Sequence, residues 1–127
     1  MGLSIIIARG QERRVESEIE RALRLAAHLP EVEESLWYGT PSLKVRGKSF
    51  LRVKEPGVLV VMCPLGLKEA LMEAEPDAYF ETPHYSGYAA MLVRLDKVHD
   101  DRLRDRIECA WLQKAPKALL RQGGDVG

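Results

Sequence analysis

The sequence has 127 residues, of which 46% are hydrophobic and 30% are charged, a balance typical of one folded globular domain rather than a disordered chain. Lys and Arg together number 19, as do Asp and Glu, so the formal net charge is zero. Zero net charge excludes the overall positive field that usually accompanies indiscriminate nucleic-acid binding, although it allows a local basic patch.

The two cysteines, Cys63 and Cys109, are too few for a disulfide framework, and neither has a second Cys or a His nearby at metal-ligand spacing. We therefore expect buried, reduced thiols, no metal site and no cofactor. The apolar run at residues 3–7 is far too short for a membrane span and short for a signal-peptide core. A cytoplasmic protein without a membrane partner is the expectation.

The first predicted element is an amphipathic helix over residues 13–28, because apolar side chains recur there at helical spacing. This helix is expected to end near Pro30. Residues 35–64 are rich in β-branched and aromatic side chains and are interrupted by Gly and Pro, which predicts three strands joined by turns. The run 58–62 is almost wholly apolar, so it should lie at the centre of the sheet.

A second helix is predicted over residues 67–74. Its inward side chains are expected to be Leu67, Ala70, Leu71 and Ala74. Two further strands, at 79–82 and 89–95, should flank a bend, and the last helix should begin at Asp100 or Asp101, either of which can cap its first turn.

The predicted element order is α-β-β-β-α-β-β-α. Short connections in this order indicate an α+β fold: a two-layer sandwich in which a five-stranded, mostly antiparallel sheet carries its helices on one face. We interpret residues 13–121 as the single domain, residues 1–12 as an N-terminal extension and residues 122–127 as a flexible tail.

Three segments together resemble the MmcQ/YjbR family in their order and spacing: ESLWYGTPSLKVRGKSFLRV at 34–53, TPHYSGYAAMLVRLD at 82–96 and AWLQKAPKALL at 110–120. The resemblance extends from about residue 14 to residue 120. It implies a compact α+β fold like that of secretion chaperones. Family members are commonly described as predicted DNA-binding proteins that present basic residues on strand-turn wings, so the resemblance implies DNA as a partner.

The segment 39–54 is the strongest local charge feature of the chain. It has five cations and no acid: Lys44, Arg46, Lys48, Arg52 and Lys54. A hairpin tip at residues 46–48 would project Arg46 and Lys48 together, where they can contact phosphates. The alternative is a solvated strand face whose charges protect an edge from aggregation. The acids of the chain are expected to lie elsewhere, so that the surface is bipolar: those at residues 31–34 and Glu69, Glu73, Glu75 and Asp77.

The segment TPHYSGY at 82–88 combines aromatic residues with a bend formed by Pro83 and Gly87. Its three rings belong to His84, Tyr85 and Tyr88. They either stack on a ligand or pack against Trp37 and Tyr38, whose segment WYGTP also joins aromatics to a turn. The structural bend is the leading interpretation, and the two segments are predicted to form one end of a shared cleft. Catalysis by His84 lacks any partner at telling spacing, so no catalytic residue is assigned.

The leading functional hypothesis is a small binding module of low sequence specificity that contacts DNA. Its nucleic-acid-binding residues are Lys44, Arg46, Lys48 and Arg52. One alternative is a dimeric, chaperone-like protein-interaction module. Another is a protein that binds or sequesters a small molecule in a pocket formed by Trp37, Tyr38, His84, Tyr85 and Tyr88. Without a recognisable catalytic constellation, a binding protein is favoured over an enzyme.

Overall fold

The computed structural model describes residues 15–120, so the predictions for residues 1–12 and 122–127 lie outside the described residues. It contains three α-helices and six β-strands within that part of the chain. In chain order they are α1 (Glu18–Leu25), β1 (Val32–Trp37), β2 (Thr40–Val45), β3 (Lys48–Glu55), β4 (Val58–Met62), α2 (Leu65–Ala74), β5 (Tyr79–Phe80), β6 (Ala90–Arg94) and α3 (Asp100–Lys114).

The six strands form one antiparallel sheet in the order β1-β2-β3-β4-β6-β5. The α+β class is therefore confirmed, but the predicted number of five strands is wrong. The missed strand arises because Tyr38 and Gly39 form a two-residue turn, with φ angles of 54° and 77°, between β1 and β2. Positive φ at both turn positions matches the twist of a tight hairpin. Thr40 and Pro41, assigned to a turn from the sequence, belong to β2.

The main hydrophobic core lies between one face of the sheet and the helices. Helices α1 and α3 pack against each other and against the sheet, and partly buried apolar residues of α2 contact the same core. Fully buried core side chains include Leu25, Leu43, Phe50, Leu59 and Ile107. The run 58–62, predicted to be central, forms β4 between β3 and β6, as expected for a strand that is apolar throughout.

Helix α1 begins at Glu18 rather than at the predicted residue 13. The reason is a capping box: Ser17 Oγ accepts a hydrogen bond from the Glu20 amide, and the Glu20 carboxylate accepts one from the Ser17 amide. A capping box satisfies amides that would otherwise lack partners at a helix start and typically stabilises it by about 1 kcal/mol. Residues 15–17 are not helical.

Helix α3 begins at Asp100, but Asp100 does not cap it. His99 occupies the N-cap position without a side-chain hydrogen bond to the helix. The Asp100 carboxylate instead accepts from Arg21 at 2.9 Å and pairs with Arg24 at 3.0 Å. These hydrogen bonds, first from Arg24 and then from Arg21, lower the pKa of Asp100. The contacts of Asp100 with Arg21 and Arg24 therefore connect α3 to α1.

Helix α2 differs most from its predicted burial pattern. Ala70 and Ala74, predicted to face inward, are exposed, whereas Lys68 is 1% exposed. A periodicity that treats every lysine as polar cannot find this arrangement, because lysine is rarely buried unless its ammonium group is fully bonded.

The face of the sheet turned away from the main core is called here the open face. Side chains of alternate strand residues point to it, and a small cluster covers part of it: Val58, Val60, Tyr85, Ala90 and Leu92. An irregularity in the pairing of β2 with β3 brings Arg52 to this face. Lys44 pairs with Ser49, but Leu43 pairs with Leu51, so Phe50 is an extra residue in β3.

Candidate ligand-binding site on the open face of the sheet

Two adjoining clefts lie on the open face. The lysine cleft has a volume of about 310 Å³ and includes Lys44, Lys48 and Ser49 in its lining. The aromatic cleft has a volume of about 420 Å³. Its lining includes Tyr38, Arg52, His84, Tyr85 and Tyr88. Trp37, Met62 and Lys114 line both clefts, so the two volumes adjoin along a shared boundary.

The side chains that line the two clefts carry positive charge and no negative charge. Four of them are cations: Lys44, Lys48, Arg52 and Lys114. None of these four forms an ion pair with any acid of residues 15–120. Glu33 lies opposite Lys44 in the strand register, yet the two side chains are not paired. The linings are therefore a positive surface that suits an anion.

Arg52 is the cation at the centre of the aromatic cleft. One of its terminal nitrogens donates to the Tyr85 hydroxyl at 2.8 Å, and the other donates to Thr40 Oγ1 at 3.3 Å. Its guanidinium carbon lies 5.8 Å from the ring centroid of Trp37 and 5.5 Å from that of Tyr38. These distances are within the range of cation–π attraction. Two aromatic faces and two hydroxyl groups thus hold Arg52 in place without neutralising its charge.

Trp37 and Tyr38 form one wall of the aromatic cleft. Their rings stack with centroids 5.4 Å apart and planes 22° from parallel. Tyr38 is 79% exposed because it lies in the tight turn between β1 and β2. An exposed ring next to a cation is available to stack on a planar ligand.

The segment 82–88 forms the other wall. Pro83–Tyr85 is a short 3-10 helix, so the strand predicted over residues 79–82 is shorter than expected and ends at Phe80. His84 contacts Tyr85 and Tyr88 edge to face, with ring centroids 4.9 and 6.2 Å apart. Tyr85 is buried and Tyr88 is exposed. The two aromatic turn segments therefore do line one cleft, as the sequence predicts.

A buried lysine holds this second wall. Lys68 Nζ donates to the carbonyl oxygens of Tyr85 and Tyr88, each at 2.8 Å, and pairs with Glu81 at 2.7 Å. These three partners use all three ammonium hydrogens. The bend is therefore more than a Pro/Gly turn, since its carbonyl groups converge on the lysine of a neighbouring helix.

Arg46 does not take part in either cleft. It occupies the β2–β3 turn with a φ of 49°, and its Nε and a terminal nitrogen both bond the Glu31 carboxylate, the latter at 3.0 Å. These bonds lower the pKa of Glu31. The expectation that Arg46 and Lys48 project together is wrong, because Lys48 lines the lysine cleft while Arg46 turns to Glu31.

The expectation that the acids at residues 31–34 lie away from the basic segment is wrong, because β1 pairs directly with β2 and places Glu33 opposite Lys44. A count of charges along the chain misses this arrangement, since it does not show which strands are neighbours in the sheet.

Two residues of the site were not recognised from the sequence. Lys114 lies in the last turn of α3 and lines the clefts. It was not recognised because a lysine is expected at the end of a helix, where it interacts with the free carbonyl groups. Lys68 follows Leu67 in a short helix, and nothing in the local pattern signals burial. Only the tertiary structure reveals either contribution.

Neither cysteine lines the lysine cleft or the aromatic cleft. Cys63 is buried, which raises the pKa of its thiol to about 11, and neither it nor the partly buried Cys109 forms a disulfide. Across residues 15–120, no group of three or more His, Cys, Asp and Glu side chains could hold a metal ion. His84 has aromatic neighbours and, within the same range, no hydrogen-bonded acid to orient it as a base.

The fold and the clefts define a small α+β protein with a cationic, aromatic-lined depression on the open face of an antiparallel sheet. Comparison with known proteins then gives the family. The family model YjbR matches residues 27–113, well over half of the chain, and the chain belongs to the YjbR family.

The chain is also similar to curated relatives and to a solved structure. Uncharacterized proteins of Mycobacterium tuberculosis and Mycobacterium bovis are 48% identical over 56 residues, covering 44% of this chain and 43% of each relative. The match therefore spans less than half the length of these curated relatives. The crystal structure of DR2400 from Deinococcus radiodurans, a DUF419 domain, has a TM-score of 0.64 at 20% identity and covers 76% of this chain and 78% of that one. This likeness supports the fold alone.

In residues 15–120, no helix has both the length and the apolar character needed to cross a bilayer.

Proposed function

We propose that the protein is a binding module for anionic ligands and that its ligand is nucleic acid, bound as a single strand across the two clefts. One observation carries the proposal: the clefts combine four cations, unpaired within residues 15–120, with exposed aromatic rings and are lined by no acid. Proteins that bind single strands without sequence preference combine a positive groove for the backbone with aromatic side chains on which bases stack.

A single strand suits this surface better than the duplex that a basic wing would contact. In the wing hypothesis, Arg46 at the hairpin tip contacts a phosphate. In the structure, its guanidinium group is already bonded to the Glu31 carboxylate. The exposed rings of Tyr38 and Tyr88 can stack only on unpaired bases, since the bases of a duplex are already stacked. Lys44 and Lys48 line the adjoining lysine cleft and are suited to the phosphates.

Low sequence specificity is part of the proposal. Phosphate contacts position a protein without reading the bases, and stacking tolerates every base because each has a π-face. We therefore expect oligonucleotides of different composition to bind with similar affinity.

The experiment is a fluorescence anisotropy titration with a labelled single strand of about 12 nucleotides and with its duplex, at about 50 and 200 mM salt. The single strand should bind more tightly than the duplex. If about three cations neutralise phosphates, its affinity should fall about 20-fold between the two salt concentrations.

The control variants come from the same basic segment. Lys44→Glu combined with Arg52→Glu should abolish binding, whereas Arg46→Glu should change it little because Arg46 is already held by Glu31. Circular dichroism establishes that each variant is folded. Failure of the single strand to bind at the lower salt concentration, or equal losses in all variants, would contradict the proposal.

Binding of a small anionic ligand with a planar aromatic group is the second candidate function. It is favoured by the aromatic cleft, whose volume of about 420 Å³ falls within the usual range of small-molecule sites. Quenching of tryptophan fluorescence by naphthoate tests it, since naphthoate has a planar aromatic group and a carboxylate but no phosphate chain. Arg52→Gln should weaken naphthoate binding, whereas Lys44→Gln with Lys48→Gln should leave it unchanged and weaken only the oligonucleotide.

The dimeric, chaperone-like alternative draws on a different region. Strand β1 is at the edge of the sheet, and its Leu36 is 67% exposed. An exposed edge strand with an apolar side chain can pair with another chain. Analytical ultracentrifugation tests this alternative, which requires a dimer that Leu36→Glu dissociates.

A further inference from the structure

Lys68 makes an unusual set of contacts for a lysine in a helix of a soluble protein. Its side chain is 1% exposed, and its ammonium group bonds two carbonyl oxygens of the segment 82–88 and the carboxylate of Glu81. Burying an ammonium group is costly unless every hydrogen finds an acceptor, and here each one does. The lysine therefore holds a backbone segment that has little regular structure of its own.

The segment that Lys68 holds also positions Arg52. Lys68 bonds the carbonyl oxygen of Tyr85, and the hydroxyl of the same Tyr85 accepts a 2.8 Å hydrogen bond from Arg52. A continuous set of contacts thus joins α2, the bend and the centre of the aromatic cleft. Lys68 itself does not line either cleft.

We propose that Lys68 is a positioning residue for ligand binding: through Tyr85 it fixes Arg52 over Trp37 and Tyr38 in the pose that receives an anion. Its effect on affinity rests on the proposed function, whereas its effect on the pose of Arg52 does not. Loss of Lys68 should release the bend, withdraw the Tyr85 hydroxyl and let the guanidinium group leave the aromatic wall.

A double-mutant cycle with the labelled oligonucleotide tests the proposal. Lys68→Met, which keeps the length of the side chain and removes its charge, should lower affinity about fivefold to tenfold, less than the loss of Arg52 itself, because the guanidinium group remains in the protein. Combined with Arg52→Gln it should cause little further loss, because both changes remove the same contact. Full affinity of a folded Lys68→Met variant, or losses that multiply in the double variant, would overturn the proposal.

Two further measurements cover the case in which Lys68→Met does not fold. Lys68→Met with Glu81→Gln removes both charges and leaves no unpaired acid beside the bend. Tyr85→Phe keeps the ring and removes only the hydroxyl, so it should lower affinity by a similar factor with the fold intact. An unchanged affinity of Tyr85→Phe would overturn the proposed connection by itself.

A readout without ligand separates this inference from the proposed function. The NMR signal of the Arg52 Nε–H group should move or broaden in Tyr85→Phe and in the Lys68 variant that folds, and should stay in place in Arg46→Gln. If the oligonucleotide does not bind the native protein but this signal responds as expected, the proposed function fails and the positioning role stands. A signal that does not respond overturns the positioning role.

Discussion

Arg46 and Arg52 are six positions apart in the same basic segment, and nothing in the sequence pattern distinguishes their roles. In the structure, Arg46 lies in a turn at one end of β2 and forms two hydrogen bonds to the Glu31 carboxylate. Arg52 lies within β3, contacts two aromatic rings and a hydroxyl, and has no ion pair with an acid of residues 15–120. Glu31 compensates the charge of Arg46, whereas the charge of Arg52 is available to a ligand.

The difference shows that the neighbours across a sheet, rather than the neighbours along the chain, determine which cation can receive a ligand. Glu31 is distant from Arg46 in sequence and reaches it because β1 folds back on β2. Desolvation affects the two arginines differently as well. An exposed ion pair contributes little to stability, whereas a partly buried guanidinium group among aromatic rings interacts more strongly with an added anion.

The largest expected effect is that of neutralising one arginine at a time. Arg52→Gln should lower oligonucleotide affinity tenfold or more, because a charge-assisted hydrogen bond to a phosphate contributes about 1.5–3 kcal/mol. Arg46→Gln, the matched control, should change affinity less than about twofold. Anisotropy titrations at low salt measure both. Equal losses would mean that Glu31 releases Arg46 when the ligand binds.

The next effect concerns stacking. Tyr88→Ala removes an exposed ring from the aromatic cleft and should lower affinity about fivefold or more, since stacking on one base contributes about 1–3 kcal/mol. Leu36→Ala is the control, because Leu36 is exposed to a similar extent but lines neither cleft. Binding that is unaffected by Tyr88→Ala would restrict the ligand contacts to the cations.

A smaller effect should appear in the salt dependence. Lys44→Gln and Lys114→Gln should each reduce the slope of log affinity against log salt by about 0.7, the value for one phosphate contact with a single strand. Arg46→Gln should leave the slope unchanged. Titrations at several salt concentrations determine the slopes, and a reduced slope for Arg46→Gln would place the hairpin tip in the interface.

The smallest effect is a titration of Glu31. The hydrogen bonds from Arg46 hold the pKa of Glu31 below the ordinary value of a glutamate, so the NMR midpoint should lie under that ordinary value and return towards it in Arg46→Gln. Because the folded pKa is the lower one, the pair stabilises the protein above the unfolded pKa, and this contribution is lost as the pH falls through the folded value. An unshifted midpoint in the native protein would show that Arg46 is free.

Much of the fold was predictable because its signals are local. The apolar run that forms β4 indicated a central strand, and the start of α3 at Asp100 is one of the two positions predicted, Asp100 or Asp101. Strand β1 was missed as a separate element because the strand-rich segment was taken to begin at residue 35, and residues 33–34 are glutamates, which are uncommon in strands. The start of α1 was placed too early because Val15 continues the apolar periodicity ahead of the capping box at Ser17.

The candidate site was predictable in part. The aromatic residues at 37–38 and 84–88 were expected to share a cleft, because both segments join rings to turns, and they do share one. The partner of Arg46 and the burial of Lys68 were not predictable, because each depends on contacts between segments far apart in the chain. The periodicity of apolar residues predicts which side chains share a face of an element, but not which distant residues they contact.

The extra residue in β3 has a consequence for how changes in length would act on this protein. Phe50 and Leu51 both face the hydrophobic core, whereas Ser49 before them and Arg52 after them face the clefts. Removing Phe50 would therefore leave Ser49, Leu51 and Arg52 in regular alternation, with each side chain on the side that it occupies now. A deletion of this one apolar residue should remove a core side chain and keep the charge at the centre of the cleft.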